Sequence, residues 1–173
     1  FVPLSELSVG DTVLTRPSVP PNGSPPRMDE YDDRETGFIV GCVLMDRELI
    51  NGPLSRRRKY IENNIGKRES ITRVPGWIYS MSNEEYIKGI IDGIFTTSSF
   101  VQGKTLFVRL ESSLMAGDVR NLLMMLGIHP KSEENSSLLG ISGESLRVLV
   151  ENVGLTNPKV SKQVIQALMS RQE

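Results

Sequence analysis

Two glycines set four residues apart inside an apolar helical run constrain this fold more than any other feature of the sequence. Ser82 to Phe95 has helical spacing throughout, and Ser82 with Glu85 three residues on predicts an N-terminal capping box. Gly89 and Gly93 fall on one face of that helix. A mid-helix glycine costs roughly 1 kcal/mol relative to alanine, so two of them call for a packing reason. The reason predicted is a second helix whose backbone comes close. Its partner is expected to be Glu35 to Asp46, apolar almost all round, with Gly41 facing Gly89 or Gly93.

Core formation is within reach, since the chain has 173 residues and 38% of them are hydrophobic. Net charge is −1, which gives no global pull toward nucleic acid or membrane. The charge is uneven, however. From Arg47 to Arg73 eight basic residues (Arg47, Arg56, Arg57, Arg58, Lys59, Lys67, Arg68, Arg73) face three acidic ones, whereas Asp29 to Glu35 is acidic. The run Arg56-Arg57-Arg58-Lys59 is either a phosphate contact or a solvated loop. One cysteine allows no intramolecular disulfide and no cysteine-built zinc site, and Cys42 among Phe38, Ile39, Val43 and Leu44 reads as a buried, inert thiol. No apolar run approaches the roughly 18 residues that span a bilayer, and no signal peptide appears. Beginning at Phe1, the sequence is expected to be a segment of something longer, soluble and intracellular.

Residues 1–33 read as a short segment followed by a proline-rich linker, with five prolines between Arg16 and Arg27. Asn51-Gly52-Pro53 is a turn, and a short helix is expected around Arg58 to Asn64. Phe100 to Ser112 reads as a hairpin about Gln102-Gly103-Lys104, with Leu106, Val108 and Leu110 on one face and Phe107, Arg109 and Glu111 on the other. Ser113 to Leu126 is a helix closed by Gly127, its apolar face made by Met115, Val119, Leu122 and Leu126. A strand ends near Ile141, Ser142 caps a helix that Gly154 terminates, and Pro158 opens the last helix. His129, the sole histidine, precedes Pro130 in a loop and has no nucleophile motif beside it. No glycine-rich phosphate loop is present.

Four segments in order carry a resemblance. Gly41-Cys42-Val43-Leu44-Met45-Asp46-Arg47 resembles the first motif of the LAGLIDADG homing endonucleases of inteins, and Arg73-Val74-Pro75-Gly76-Trp77-Ile78-Tyr79 resembles the segment that precedes their second motif. Tyr86 to Val101 resembles the second motif helix, in the longer form in which an acid and a glycine follow the helix. Arg120 to Ile128, Ile141 to Glu144 and Val153-Gly154-Leu155 are similar to later family helices, and Phe1 to Asp11 looks like a phrase of the splicing domain.

The resemblance implies an α+β fold in which residues 34–173 form the endonuclease-like domain. Residues 34–81 would be a reduced first half and residues 82–173 one complete αββαββα repeat, an antiparallel sheet with packed helices. It implies that two motif helices deliver their C-terminal ends to one site, with Trp77 packing on them. Asp46 falls on the first catalytic acid and would be the metal ligand. Ser98 replaces the second acid in the longer register, and Ile94 does so in the shorter one. Two acids normally share the Mg²⁺ ions that cleave both strands. Double-stranded DNA is the partner implied, contacted through Arg56, Arg57, Arg58, Lys59, Lys67, Arg68, Lys104 and Arg109, together with the splicing domain of a parent intein. Splicing residues at the ends are absent, so the segment is not expected to splice alone. Three functional readings stay open: a decayed endonuclease with Mg²⁺ as cofactor of any remaining activity, a non-catalytic nucleic-acid-binding module, and a structural insert of a splicing element.

Overall fold

The computed structural model describes residues 33–46, 48–49, 60–61, 65, 72–80, 83–133 and 135–169. Along these run α1 (Arg34–Met45), a 3₁₀ turn (Gly76–Ser80), α2 (Glu84–Ser98), β1 (Ser99–Gln102), β2 (Thr105–Arg109), α3 (Ser113–Met125) and β3 (Leu138–Ser142). They are followed by α4 (Gly143–Val148), which continues into a π-helical turn (Leu149–Val153), and by α5 (Pro158–Met169). The class is α+β, as expected. Residues 1–32 and most of the basic run (Arg47, Arg56, Arg57, Arg58, Lys59, Lys67 and Arg68) lie outside the described residues. Of the helix expected around Arg58 to Asn64, Tyr60 and Ile61 are described, and both are helical and buried.

Helix α1 starts where Asp33 accepts a hydrogen bond from the Thr36 N–H at 2.6 Å, an ordinary N-cap. For α2 the cap is Asn83, not Ser82, its side chain accepting from the Glu85 N–H at 3.0 Å. Asparagine and serine cap equally well, so local sequence could not choose between neighbours. The helix also runs past Phe95 to Ser98, and Ser99 then turns directly into β1.

The glycines do what their cost required. A Cβ built on Gly93 would lie 2.8 Å from the Cys42 nitrogen and 3.0 Å from the Gly41 Cα, and one on Gly89 would lie 2.8 Å from the Phe38 nitrogen. Cβ atoms on Gly37 and Gly41 would run into the backbones of Tyr86 and Ile90. The two helices therefore run parallel with their backbones in contact, and Gly41 faces Gly93 as predicted.

Three antiparallel strands form one sheet in the order β1-β2-β3. Gly103 takes a φ of 59° at the first central position of the two-residue turn joining β1 to β2, which glycine does without steric cost. Leu106, Val108 and Leu110 are buried while Phe107 is half-buried and Arg109 exposed, so the predicted alternation holds. The expected four-stranded repeat is corrected: among the described residues the fourth strand is a single bridge, Lys131 to Gly140, with N–H to O distances of 2.7 and 2.8 Å. Pro130 just before it lacks a backbone donor, and the polar loop after it leaves little to extend the ladder. Ser142 precedes α4 but makes no side-chain cap bond, and the single helix expected there passes into the π turn before Gly154.

One apolar core joins α1 to α5. Val40, Tyr86, Ile90, Phe95, Leu106, Leu122, Leu139 and Val164 are all buried in it. Trp77 packs against Tyr86 of α2 with ring centroids 6.4 Å apart, on a helix it was expected to cover. Cys42 is half-buried; its thiol points at the Gly93 carbonyl at 3.6 Å, and burial raises its pKa, which keeps it an unreactive thiol.

Candidate functional site

The contacts between α1 and α2 are symmetric in detail. Gly37 meets Tyr86 and Ile90, while Gly89 meets Arg34 and Phe38; Gly41 meets Ile90, while Gly93 meets Phe38. Adding 52 to each number in α1 reproduces each contact from the other side, since 89 − 37 and 93 − 41 are both 52. A local two-fold axis therefore runs between the helices and parallel to them. It pairs Asp46 with Ser98 (98 − 46 is 52) and not with Ile94.

Both members of that pair stand at helix C-termini. Asp46 is the C-cap of α1, its N–H bonded to the Cys42 carbonyl, and Ser98 is the last residue of α2. Neither helix carries a basic residue in its last turn, so neither negative helix pole has a compensating side chain of its own. A carboxylate at such a position is the reverse of what helix stability favours, and it suits a cation better than the fold.

The donor set is nevertheless short of a two-acid metal centre. Asp46 is exposed, and its Oδ1 accepts from the Glu48 N–H at 3.0 Å. Ser98 contributes a neutral hydroxyl where the axis asks for a second anion. Magnesium is held by carboxylate and phosphate oxygens, and one carboxylate across the axis does not fit the shared-ion arrangement. Among the described residues no group of three or more His, Cys, Asp or Glu is placed to hold a metal ion.

Two other predicted contact residues are described. Lys104 is exposed in the β1–β2 turn, and Arg109 is exposed at the end of β2. Arg73, counted in the basic run, serves structure: its guanidinium grips Asp118 with bonds of 2.9 and 3.1 Å, and the Val74 N–H donates to the same carboxylate at 3.1 Å. The Tyr79 hydroxyl donates to the Asp118 carbonyl at 3.0 Å, and burial, followed by the Asp118 charge, pushes its pKa upward. This buried carboxylate fixes the segment before α2 onto α3.

A second buried carboxylate, Asp92, also escaped the sequence reading as an anchor. It accepts from the Thr156 N–H at 2.8 Å and the Thr156 hydroxyl at 2.6 Å, with the Arg34 guanidinium 3.9 Å away. Arg34 also donates to the Val153 carbonyl and pairs with Glu85 at 3.3 Å. Asp92 thus ties α1 and α2 to the link before α5. The signal in the sequence was an acid in the middle of an apolar helix, but its partner lies 64 residues away.

No helix among the described residues is long and apolar enough to cross a membrane. Neither a family model nor a curated protein matches the chain.

Proposed function

We propose that the chain is a decayed intein-type LAGLIDADG homing-endonuclease domain, one that keeps the motif helix pair but no longer makes double-strand breaks. The observation that supports this reading is the symmetric glycine contact, whose 52-residue offset also relates Asp46 at the C-terminus of α1 to Ser98 at the C-terminus of α2. Close backbone packing alone would account for the glycines. It does not account for a carboxylate at the negative pole of α1 and a hydroxyl at its symmetric mate. In a cleaving ancestor both positions would be acids, and loss of one removes the ligand shared between the two strands' ions.

Duplex binding under this reading is weak and nonspecific, since net charge is −1. The test is incubation with supercoiled plasmid in Mg²⁺ or Mn²⁺, together with titration of labelled duplex over a range of salt. No linear product and a salt-steep, sequence-indifferent affinity are expected. Linear product lost on Asp46→Asn, or nanomolar sequence-selective binding at physiological salt, would overturn it.

A further inference from the structure

The outer face of the sheet bears a row of residues that the helix-pair reading does not use. Phe100 pairs with Phe107, Phe107 with Gly140, and Gly140 with Lys131, so all four project to one side. The two rings stack with centroids 5.5 Å apart and planes 22° from parallel. Phe107 leans over Gly140: its Cε1 lies 3.0 Å from where a Cβ would be, so the missing side chain is what lets the ring lie down on the sheet. Phe100 is 38% exposed, well above the buried residues of the inner face. An aromatic pair facing water on a sheet costs solubility and adds nothing to the core.

The surroundings suit a polyanion carrying flat apolar groups. A concavity of about 420 Å³ runs beside Phe107, Lys131 and Gly140, and a second of about 460 Å³ is lined by Lys104, Lys131 and His129. Thr105, Lys131 and Ser142 line both, so the two are neighbours. Each is of the size that holds a small ligand such as one nucleotide. Lys131 is an exposed cation lining both, and Arg109, exposed and two residues on from Phe107 in β2, lies on the same face of the sheet; against them stand Glu133 in the first concavity and Glu144 in the second.

We infer that this face binds unpaired nucleic acid, with bases stacking on Phe100 and Phe107 and the phosphates meeting Lys131 and Arg109. Base faces stack on aromatic rings only when the bases are free of a duplex, and such stacking tolerates any sequence. A duplex offers its edges and phosphates instead, and would leave both rings uncovered. The inference rests on the sheet and not on the helix pair, so it stands or falls apart from the endonuclease reading.

The test is fluorescence anisotropy with the full chain and three labelled probes of equal length: a thymidine single strand, a uridine single strand and a mixed duplex. At least one single strand is expected to bind about tenfold or more tightly than the duplex at low salt. Phe107→Ala and Phe100→Ala should each weaken that binding by about fivefold or more, leaving duplex binding unchanged. Lys131→Ala should lower the slope of affinity against salt. Phe107→Trp, which keeps a stacking ring, should retain binding, and the indole emission it adds over the parent chain should be quenched as the single strand is added. Duplex binding equal to or tighter than single-strand binding, no binding of either single strand, or an added indole emission that ignores bound oligonucleotide would each overturn the proposal.

Discussion

Two buried carboxylates decide how the domain is held together, and both make testable demands. Asp92 satisfies the backbone and hydroxyl of Thr156 and faces Arg34. Asp92→Ala removes two hydrogen bonds to a buried carboxylate, although Thr156 itself is exposed and its donors can turn to water, so it should cost about 1–3 kcal/mol in urea unfolding. Thr156→Val should cost less, and the double variant should fall short of the sum because the two share one interaction. Tyr79 gives a pH signature. Its folded pKa is raised by burial, so the unfolded chain releases that proton first as pH climbs. The stability it contributes is fully present below about pH 10, the ordinary tyrosine value, and is lost as pH rises from there through the folded value. Tyr79→Phe should lose about 1 kcal/mol at pH 7 with the bond to Asp118 and show a shallower alkaline decline. Equal slopes for the two proteins would refute this. Neither carboxylate's role was legible in sequence, because Asp92 and Asp118 look like ordinary helix acids until partners 64 and 45 residues away are brought in.

At the scale of elements, the glycine argument carried furthest. Helical period and backbone cost were enough to expect α1 against α2 and Gly41 against Gly89 or Gly93, of which the second is found, although Gly37, the fourth member, was not singled out. Termini were less legible: Asn83 and Ser82 are both good caps, and α2 continues through Thr96-Thr97-Ser98 because the sheet begins only where Ser99 can pair with Val108. Position decides what an added methyl does. Gly93→Ala should destabilise by about 1–3 kcal/mol or more, since the Cβ meets the backbone of α1 and that backbone cannot yield. Gly117→Ala, in α3 with nothing within 4 Å of the new atom, should stabilise by about 0.5–1 kcal/mol. Thermal or urea unfolding of the two variants side by side checks this; a loss at Gly117 as large as at Gly93 would mean that the close approach is not the cause.

For the molecule as a whole, the two-fold relation between α1 and α2 is not matched by two equal halves. Behind α2 stand three strands and three helices, while the residues described between α1 and α2 supply a helical patch around Tyr60 and Ile61 and the segment fixed by Asp118. The succession of helices and strands was legible from periodicity, the α+β class from the resemblance that this order carried, and the inner and outer faces of β2 from its alternation. The missing fourth strand was not, because Lys131 to Ile141 holds too few apolar residues to show where pairing stops. The pairing of Asp46 with Ser98 is the point on which the proposed endonuclease ancestry turns. Mn²⁺ binding, followed by the loss of its free-ion spin-resonance signal, measures it most directly in the parent chain, in Ser98→Asp and in Thr97→Asp as a one-residue control. The two-fold register predicts that Ser98→Asp tightens Mn²⁺ binding by about tenfold or more over the parent, that Asp46→Asn in the same chain abolishes the gain, and that Thr97→Asp gives none. Equal gains at 97 and 98, or a gain at 98 that survives Asp46→Asn, would contradict it.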